Sequence, residues 1–427
     1  MAETPSFNGL ASIISENAQV IEQYLSSSDQ IPKPTLDPNG PHHFPAPPDA
    51  FKIQMARENL LDAVRRLQLL ALGPVEALFQ LSSRSHELSV IHAIYALDMA
   101  SKVPVDGEVS FAEIAKAVGI DEDRVTRIIR LAVTSGVFQE ARPGFVSHTG
   151  MSSVLATNQG ASDIFGMALE DEIGAIGHFV NALKKYPEPQ NRLLETPFAL
   201  AHNIDKPYYE WVSKDQRRVE RFQRAMRAND SGGPFSSECL THGYDWNALN
   251  AKLFVDMGGS MGHSTMRIAN GSKIDKFIVQ DFTAEEVNHA KAALPKEFEG
   301  RIEFAEHDFF KPQTIHGADV YFFRWILHNW PDPECIVILK NLVPAMKKGA
   351  RVIISDLLLP EPNTVPNRLN REFRVMDIHM LNVFGARERD VSMFKDLFAA
   401  ADPRFKFEGA KPLPGSLLSI VEAVWDP

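Results

Sequence analysis

The sequence predicts an α/β protein: a largely parallel sheet in the C-terminal half, preceded by an all-α region that includes a winged helix. Three observations carry this. Strand-like runs alternate with helical ones from Leu253 onwards, as βα units on a parallel sheet require. Two capped helices and a hairpin-like segment follow one another between Ser110 and Val146. The chain has 427 residues, more than one average domain, and its 44% hydrophobic and 23% charged residues are ordinary globular proportions.

Residues 1–50 read as an arm and connector. Leu10, Ile13, Ile14, Val20, Ile21 and Leu25 recur at helical spacing. Pro32, Pro34, Pro38, Pro41, Pro45, Pro47 and Pro48 then make an extended strap, because proline fixes φ and lacks a backbone donor. Such an arm packs on a partner subunit or hangs as a loose tail; both readings stand.

Residues 51–160 read as a helical and winged-helix dimerisation domain. Leu60, Leu61, Val64, Leu67, Leu69 and Leu70 form an apolar face on a helix between Ala50 and Met99. Ser110 and Glu113 have capping-box spacing, Gly119 suits the helix end, and Asp121 caps the helix carrying Val125, Ile128, Ile129 and Leu131. The wing turns at Pro143-Gly144. Arg124, Arg127 and Arg130 share a stripe that invites a DNA-binding reading. Glu122, Asp123 and a net charge of −11 oppose it, because phosphate binding needs a basic footprint. No nucleic-acid partner is expected.

Residues 161–235 read as a helical connector. Phe179, Phe198, Tyr208, Tyr209, Trp211 and Phe222 suit a pocket for a flat apolar ligand or ordinary core. A turn-like Asn229–Pro234 precedes the last domain, 236–427. There the expected strands are Leu253–Met257, Phe277–Gln280, Ile302–Ala305, Val320–Phe323 and Arg351–Ile354, with a closing antiparallel hairpin around Phe405–Phe407 and Leu417–Val424.

Two cysteines, Cys239 and Cys335, supply neither a disulfide framework nor a cysteine-rich zinc site. The first residues are neither basic nor apolar, and the apolar stretch Leu67–Leu81 is broken by Pro74 and Glu76. A cytoplasmic protein without a membrane partner is the expectation.

The turn after the first long strand reads Asp256-Met-Gly-Gly-Ser-Met-Gly262, where backbone approaches a ligand that side chains would exclude. It fits neither the dinucleotide fingerprint, since Ser260 and His263 occupy glycine positions, nor the P-loop, which needs a lysine. A non-phosphorylated nucleoside fits better. Asp281 ends the next strand nineteen residues beyond Gly262, where a carboxylate accepts from ribose hydroxyls or simply caps a helix.

Leu253-Phe-Val-Asp-Met-Gly-Gly-Ser-Met-Gly262, Phe277-Ile-Val-Gln-Asp281, Glu306-His-Asp-Phe309 and Gly317-Ala-Asp-Val-Tyr321 resemble the cofactor motifs of class I S-adenosylmethionine-dependent methyltransferases. Phe323-Arg-Trp-Ile-Leu-His-Asn-Trp-Pro-Asp332 and Gly385-Ala-Arg-Glu-Arg389 resemble the plant-type small-molecule (caffeic acid) O-methyltransferases and their fungal relatives, over roughly residues 90–427. The resemblance implies a Rossmann-like catalytic domain, S-adenosyl-L-methionine as cofactor and a homodimer acting on a small-molecule acceptor. It puts Gly258 against the methionine moiety, Asp281 on the ribose, Asp308 and Phe309 at the adenine, and Arg324 closing over the cofactor. Ser260 departs from the usual third glycine, and its small side chain is tolerable there.

Methyl transfer to a phenol is held back by a proton whose pKa is about 10. His328, after a strand and near the sheet edge where ligands bind, is the candidate base. The resemblance places Asp356 and Glu388 beside it, as acids that orient the imidazole. Asp356 is shorter than the usual glutamate, and Asn329 replaces the usual aspartate after the base. Met376, Met380 and Phe384 are expected in the acceptor pocket, where methionines suit flat ligands, with core packing as the competing reading. Asp332 and Glu334 read as surface acids, so no metal is expected. The expected function is O-methylation of an aromatic or polyketide-like secondary metabolite. The alternative is a pericyclase or dehydratase on the same fold, using the sulfonium as a fixed charge. A regulator built on the winged helix is the third class.

Overall fold

The computed structural model describes residues 6–47 and 49–427; the first five residues and Pro48, parts of the expected arm and strap, lie outside it. The chain forms two compact units. One comprises the chain through Gly174 with Val212–Asn229 and Pro366–Arg368; the other comprises Ala175–Trp211, Asp230–Val365 and Leu369–Pro427.

In the first unit, Ser6 caps the helix Phe7–Leu25, its Oγ accepting from the Gly9 amide at 3.1 Å. Ile21 and Leu25 bury against Ala56 of the helix Phe51–Ala96. That long helix breaks at Gly73, whose φ of 71° is left-handed, because Pro74 cannot continue the hydrogen-bond ladder. Its apolar face is only partly used within the chain. Ala56 and Ala63 are buried, whereas Val64, Leu69, Leu70, Val75, Leu78 and Phe79 are exposed.

The winged helix follows the sequence reading closely. Ser110 and Glu113 make a reciprocal capping box on the helix Phe111–Val118, and Asp121 caps Glu122–Thr134. Strands β1 (Val109–Ser110), β2 (Phe138–Arg142) and β3 (Phe145–His148) form an antiparallel sheet in the order β1-β3-β2. Ile94, Phe111, Ile114, Val125, Ile129 and Val146 are its core. On the arginine stripe, Arg130 pairs with Glu140 of the wing at 3.0 Å and Arg127 with Asp123 at 3.7 Å.

The second unit is built on seven strands: β4 (Leu253–Met257), β5 (Lys276–Asp281), β6 (Ile302–Glu306), β7 (Val320–Arg324), β8 (Arg351–Leu357), β9 (Phe405–Pro412) and β10 (Leu418–Trp425). Their order is β6-β5-β4-β7-β8-β10-β9. The first five are parallel, while β10 runs antiparallel between β8 and the edge strand β9. This sheet is Rossmann-like. Tyr321, Phe322 and Phe323 on β7 are fully buried, each such side chain contributing about 1.5–3 kcal/mol. The sheet sits between two apolar layers, one around Phe323, Leu339 and Phe398, the other around Phe254, Trp246 and Phe322. The chain leaves β4 towards β6 on one side and returns to β7 on the other. The C-terminal ends of β4 and β7 therefore frame the crevice where such sheets bind ligands.

Candidate active site

The turn after β4 is shaped by close packing. Gly258 has φ 75°, and a Cβ there would sit 2.7 Å from Cδ1 of Ile326. Ser260 adopts a left-handed φ of 49°, an uncommon state for a residue with a side chain. Asp281, at the end of β5, ties this turn down. Its Oδ2 accepts from the Ser260 amide at 2.7 Å and its Oδ1 from the Phe282 amide at 2.7 Å. Burial raises the Asp281 pKa, with both amides pulling the other way. Beneath the turn, burial pushes Asp256 up to about 6, although its Oδ2 accepts from the Thr265 hydroxyl at 2.6 Å.

The segment after β6 brings Asp308 and Phe309 to the neighbouring strand end. The His307 amide donates to the Asp281 carbonyl at 2.8 Å, and Asp308 Oδ1 accepts from the Phe310 amide at 2.9 Å. The Phe309 ring lies 5.1 Å from Phe310 and 6.0 Å from Trp330. A glycine cradle that a Cβ would fill, carboxylates at the ends of β5 and β6 and an adjacent aromatic face fit a nucleoside. Buried Nε2 of His307 has no hydrogen-bond partner, a polar atom left over at the same strand end.

Arg324 ends β7 but lies within the protein. Its Nη1 is 2.9 Å from Asp230 Oδ1 and 3.4 Å from Ser264 Oγ, and its Nη2 donates to the Phe235 carbonyl. It thus fastens the Asp230–Phe235 segment beside the glycine turn. The sequence reading gave it no such anchor.

His328 sits in the 3₁₀ turn Leu327–Asn329 just past β7 and is buried. Its Nδ1 lies 2.9 Å from Glu388 Oε1. A carboxylate only accepts, so Nδ1 carries the proton and the neutral ring keeps its lone pair on Nε2. Burial lowers the His328 pKa, but the charges of Glu388 and Asp356 outweigh it and the net direction is up. The Glu388 amide donates to Asp377 Oδ1 at 3.0 Å, fixing the acid to the helix Asn367–Phe384.

Asp356 acts on His328 by its charge and is hydrogen-bonded to the backbone beside it. Its Oδ1 accepts from the Trp325 amide at 2.8 Å, and its buried Oδ2 has no hydrogen-bond partner. Burial raises its pKa. Trp325 adopts φ 57°, and its ring lies 4.7 Å from that of His328. Asn329 Nδ2 donates to the Trp325 carbonyl at 2.8 Å, a bond that an aspartate could not make. Both departures from the family pattern thus converge on the peptide groups of one strained tryptophan.

The three expected pocket residues separate. Phe384 lines a small cleft with Tyr208, Tyr209, Asn329, Trp330, Leu193 and Pro207. Tyr208 and Tyr209 lie 4.9 and 5.6 Å from its ring. Met376 packs instead with Trp325, Phe235 and Phe373, and Met380 is buried. The Asp332 side chain is half-exposed, and its Oδ1 lies 2.7 Å from Nη2 of buried Arg389. The sequence reading quoted Arg389 only as the last residue of the Gly385–Arg389 motif and gave it no role. Among the described residues no cluster of acids, histidines and cysteines has metal-site geometry, and no helix is long and apolar enough to cross a membrane.

The sequence model of the O-methyltransferase domain matches residues 184–403. The chain belongs to the O-methyltransferase family. The model of the O-methyltransferase dimerisation domain matches residues 79–158. This O-methyltransferase is 37% identical to the grayanic acid biosynthesis cluster O-methyltransferase of Cladonia grayi, over 98% of the chain and 87% of that protein. It is 34% identical to the chlorophenol O-methyltransferase of Trichoderma longibrachiatum, over 98% and 90%. Among solved structures, OxaC in complex with S-adenosylhomocysteine (SAH) and oxaline aligns with TM-score 0.77 at 23% identity, over 98% of this chain and 99% of that one. A pericyclic reaction enzyme aligns with TM-score 0.71 at 22% identity, over 97% and 100%. At these identities the two structures speak for the fold alone. As a member of this family, the O-methyltransferase uses S-adenosylmethionine as its cofactor.

Proposed function

We propose that this O-methyltransferase methylates a hydroxyl of an aromatic or polyketide-like secondary metabolite, with His328 as the general base. The observation that carries the proposal is the 2.9 Å contact from His328 Nδ1 to Glu388, which leaves Nε2 as the proton acceptor. S-adenosylmethionine supplies a methyl group already activated on a sulfonium. What remains for the protein is to bind, to align and to take one proton.

Gly258 lets backbone approach the methionine moiety, Asp281 and Asp308 accept from the ribose and adenine, and Phe309 covers the adenine face. Arg324 holds the Asp230–Phe235 segment at the crevice. His328 Nε2 takes the acceptor's proton, help worth about 10²–10⁴-fold. Glu388 stabilises the imidazolium that results, while Asp356 acts through Trp325 as a positioning residue. Tyr208, Tyr209 and Phe384 suit an aromatic ring, and the names of the grayanic acid and chlorophenol relatives support a phenolic acceptor. The exposed apolar stripe from Val64 to Phe79 and the match to a dimerisation domain support a homodimer through the N-terminal region.

The retained His328–Glu388 pair favours methyl transfer over a pericyclic or dehydration reaction. The test is incubation with methyl-labelled S-adenosylmethionine, a chlorophenol and an extract of the source organism's small molecules, followed by mass spectrometry. Labelled product with matching S-adenosylhomocysteine is expected. An extract component that changes without label, with the cofactor unconsumed, would replace this reading with the pericyclic one.

A further inference from the structure

His328 and Glu388 come from segments sixty residues apart, so their contact depends on whatever holds those segments in register. Arg389, the neighbour of Glu388, spans the same gap. It is 1% exposed. Its Nη1 donates to the Leu327 carbonyl at 2.8 Å and its Nη2 to the Trp330 carbonyl at 2.9 Å. Those two carbonyls bracket His328. On the other side of the guanidinium, Nε and Nη2 lie 3.0 and 2.7 Å from Asp332 Oδ1, which neutralises the buried cation. Cys335 Sγ lies 3.2 Å from each of the same two carbonyls, its single proton available to either.

A guanidinium withdrawn from water demands partners for its fork of donors. Here the partners are the backbone and the acid of the segment that carries His328. We propose that Arg389 is a positioning residue for the base: it clamps the Leu327–Trp330 turn to the Glu388 segment and so keeps the imidazole and carboxylate in contact. This rests on the reading of His328 as the base. A lysine in its place keeps the charge but cannot grip both carbonyls and the carboxylate, because its ammonium is a single point.

The test uses full-length protein labelled with ¹⁵N-histidine, the His328 signals being those lost in His328→Ala. Exchange of the Nδ1 proton with water reports the contact to Glu388, and calorimetry with S-adenosylmethionine reports an intact cofactor cradle. In Arg389→Lys and Arg389→Gln, exchange is expected to be about tenfold faster or more, with cofactor affinity unchanged. The imidazole titration separates position from charge. His328 feels Glu388 and Asp356 raising its pKa, Arg389 lowering it, and His379 alongside, itself held near about 4 by burial and by His328. Its midpoint is therefore expected to rise in the Gln variant and to return with Lys, while fast exchange persists in both. If Arg389→Gln does not fold, Asp332→Asn, at a half-exposed side chain, is expected to speed exchange about threefold through the weakened anchor. Exchange at the wild-type rate in Arg389→Lys or in Asp332→Asn overturns the clamp. No turnover enters this readout, so a failure of His328 as base is distinguished by its own activity assay.

Discussion

Nδ1 of His328 stands 2.9 Å from Oε1 of Glu388, and both side chains are almost entirely withdrawn from solvent. Burial alone would make this histidine a weak base. The carboxylate reverses that and holds the pKa above the ordinary histidine value. The base works when neutral, so wild-type kcat is expected to rise with pH through a midpoint above the model-compound value of about 6.5.

Glu388→Gln removes the upward pull and keeps an acceptor oxygen. The acid limb of the kcat profile is expected to move to lower pH, and the plateau to fall about tenfold as the imidazolium loses its counter-charge. A limb that stays in place would mean that Glu388 does not govern the titration.

Asp356 offers a contrast between two substitutions. Asparagine keeps an acceptor for the Trp325 amide and removes a buried charge, so its Tm is expected to equal or exceed wild type. Alanine leaves that amide only its longer bond to the Ser355 carbonyl at 3.3 Å, a loss of about 0.5–1.5 kcal/mol. Equal melting of the two variants would show that the Trp325 bond supports nothing.

Asp281→Ala removes the acceptor at the end of β5. Losing hydrogen bonds to a charged group costs about 1.5–3 kcal/mol, so the calorimetric Kd for S-adenosylmethionine is expected to weaken about 10- to 100-fold. An unchanged Kd would put the ribose elsewhere.

Gly258→Ala meets both a φ of 75° and Ile326 Cδ1 at 2.7 Å. The left-handed backbone alone costs about 1–2 kcal/mol for a residue with Cβ. Thermal denaturation is expected to register that loss, and Ile326→Val in the same chain, lacking Cδ1, to return part of it. No recovery would assign the whole effect to the backbone.

The parallel sheet was legible because buried strands read as continuous apolar runs between helical segments, as Val320–Phe323 does. The capping box of Ser110 and Glu113 was legible because it is local, confined to one turn of helix. The His328–Glu388 pair was not legible from spacing, since the fold alone brings the two segments together; family resemblance supplied it. What stayed hidden turned on backbone partners. Asp356 accepts from the Trp325 amide and Arg389 bonds to carbonyls, groups that any residue type other than proline carries. Met376 and Phe384 lie on one helix yet face different neighbours, Trp325 for the first and Tyr208 for the second.

The central claim is that His328 takes the acceptor's proton during methyl transfer. Its most direct measurement is single-turnover transfer from labelled S-adenosylmethionine to the acceptor identified by labelling, comparing wild type with His328→Ala at matched cofactor saturation. The expected result is a rate lower by about 10² or more, with the cofactor Kd unchanged. A His328→Ala enzyme that transfers label at the wild-type rate would contradict the claim and remove the histidine from the mechanism.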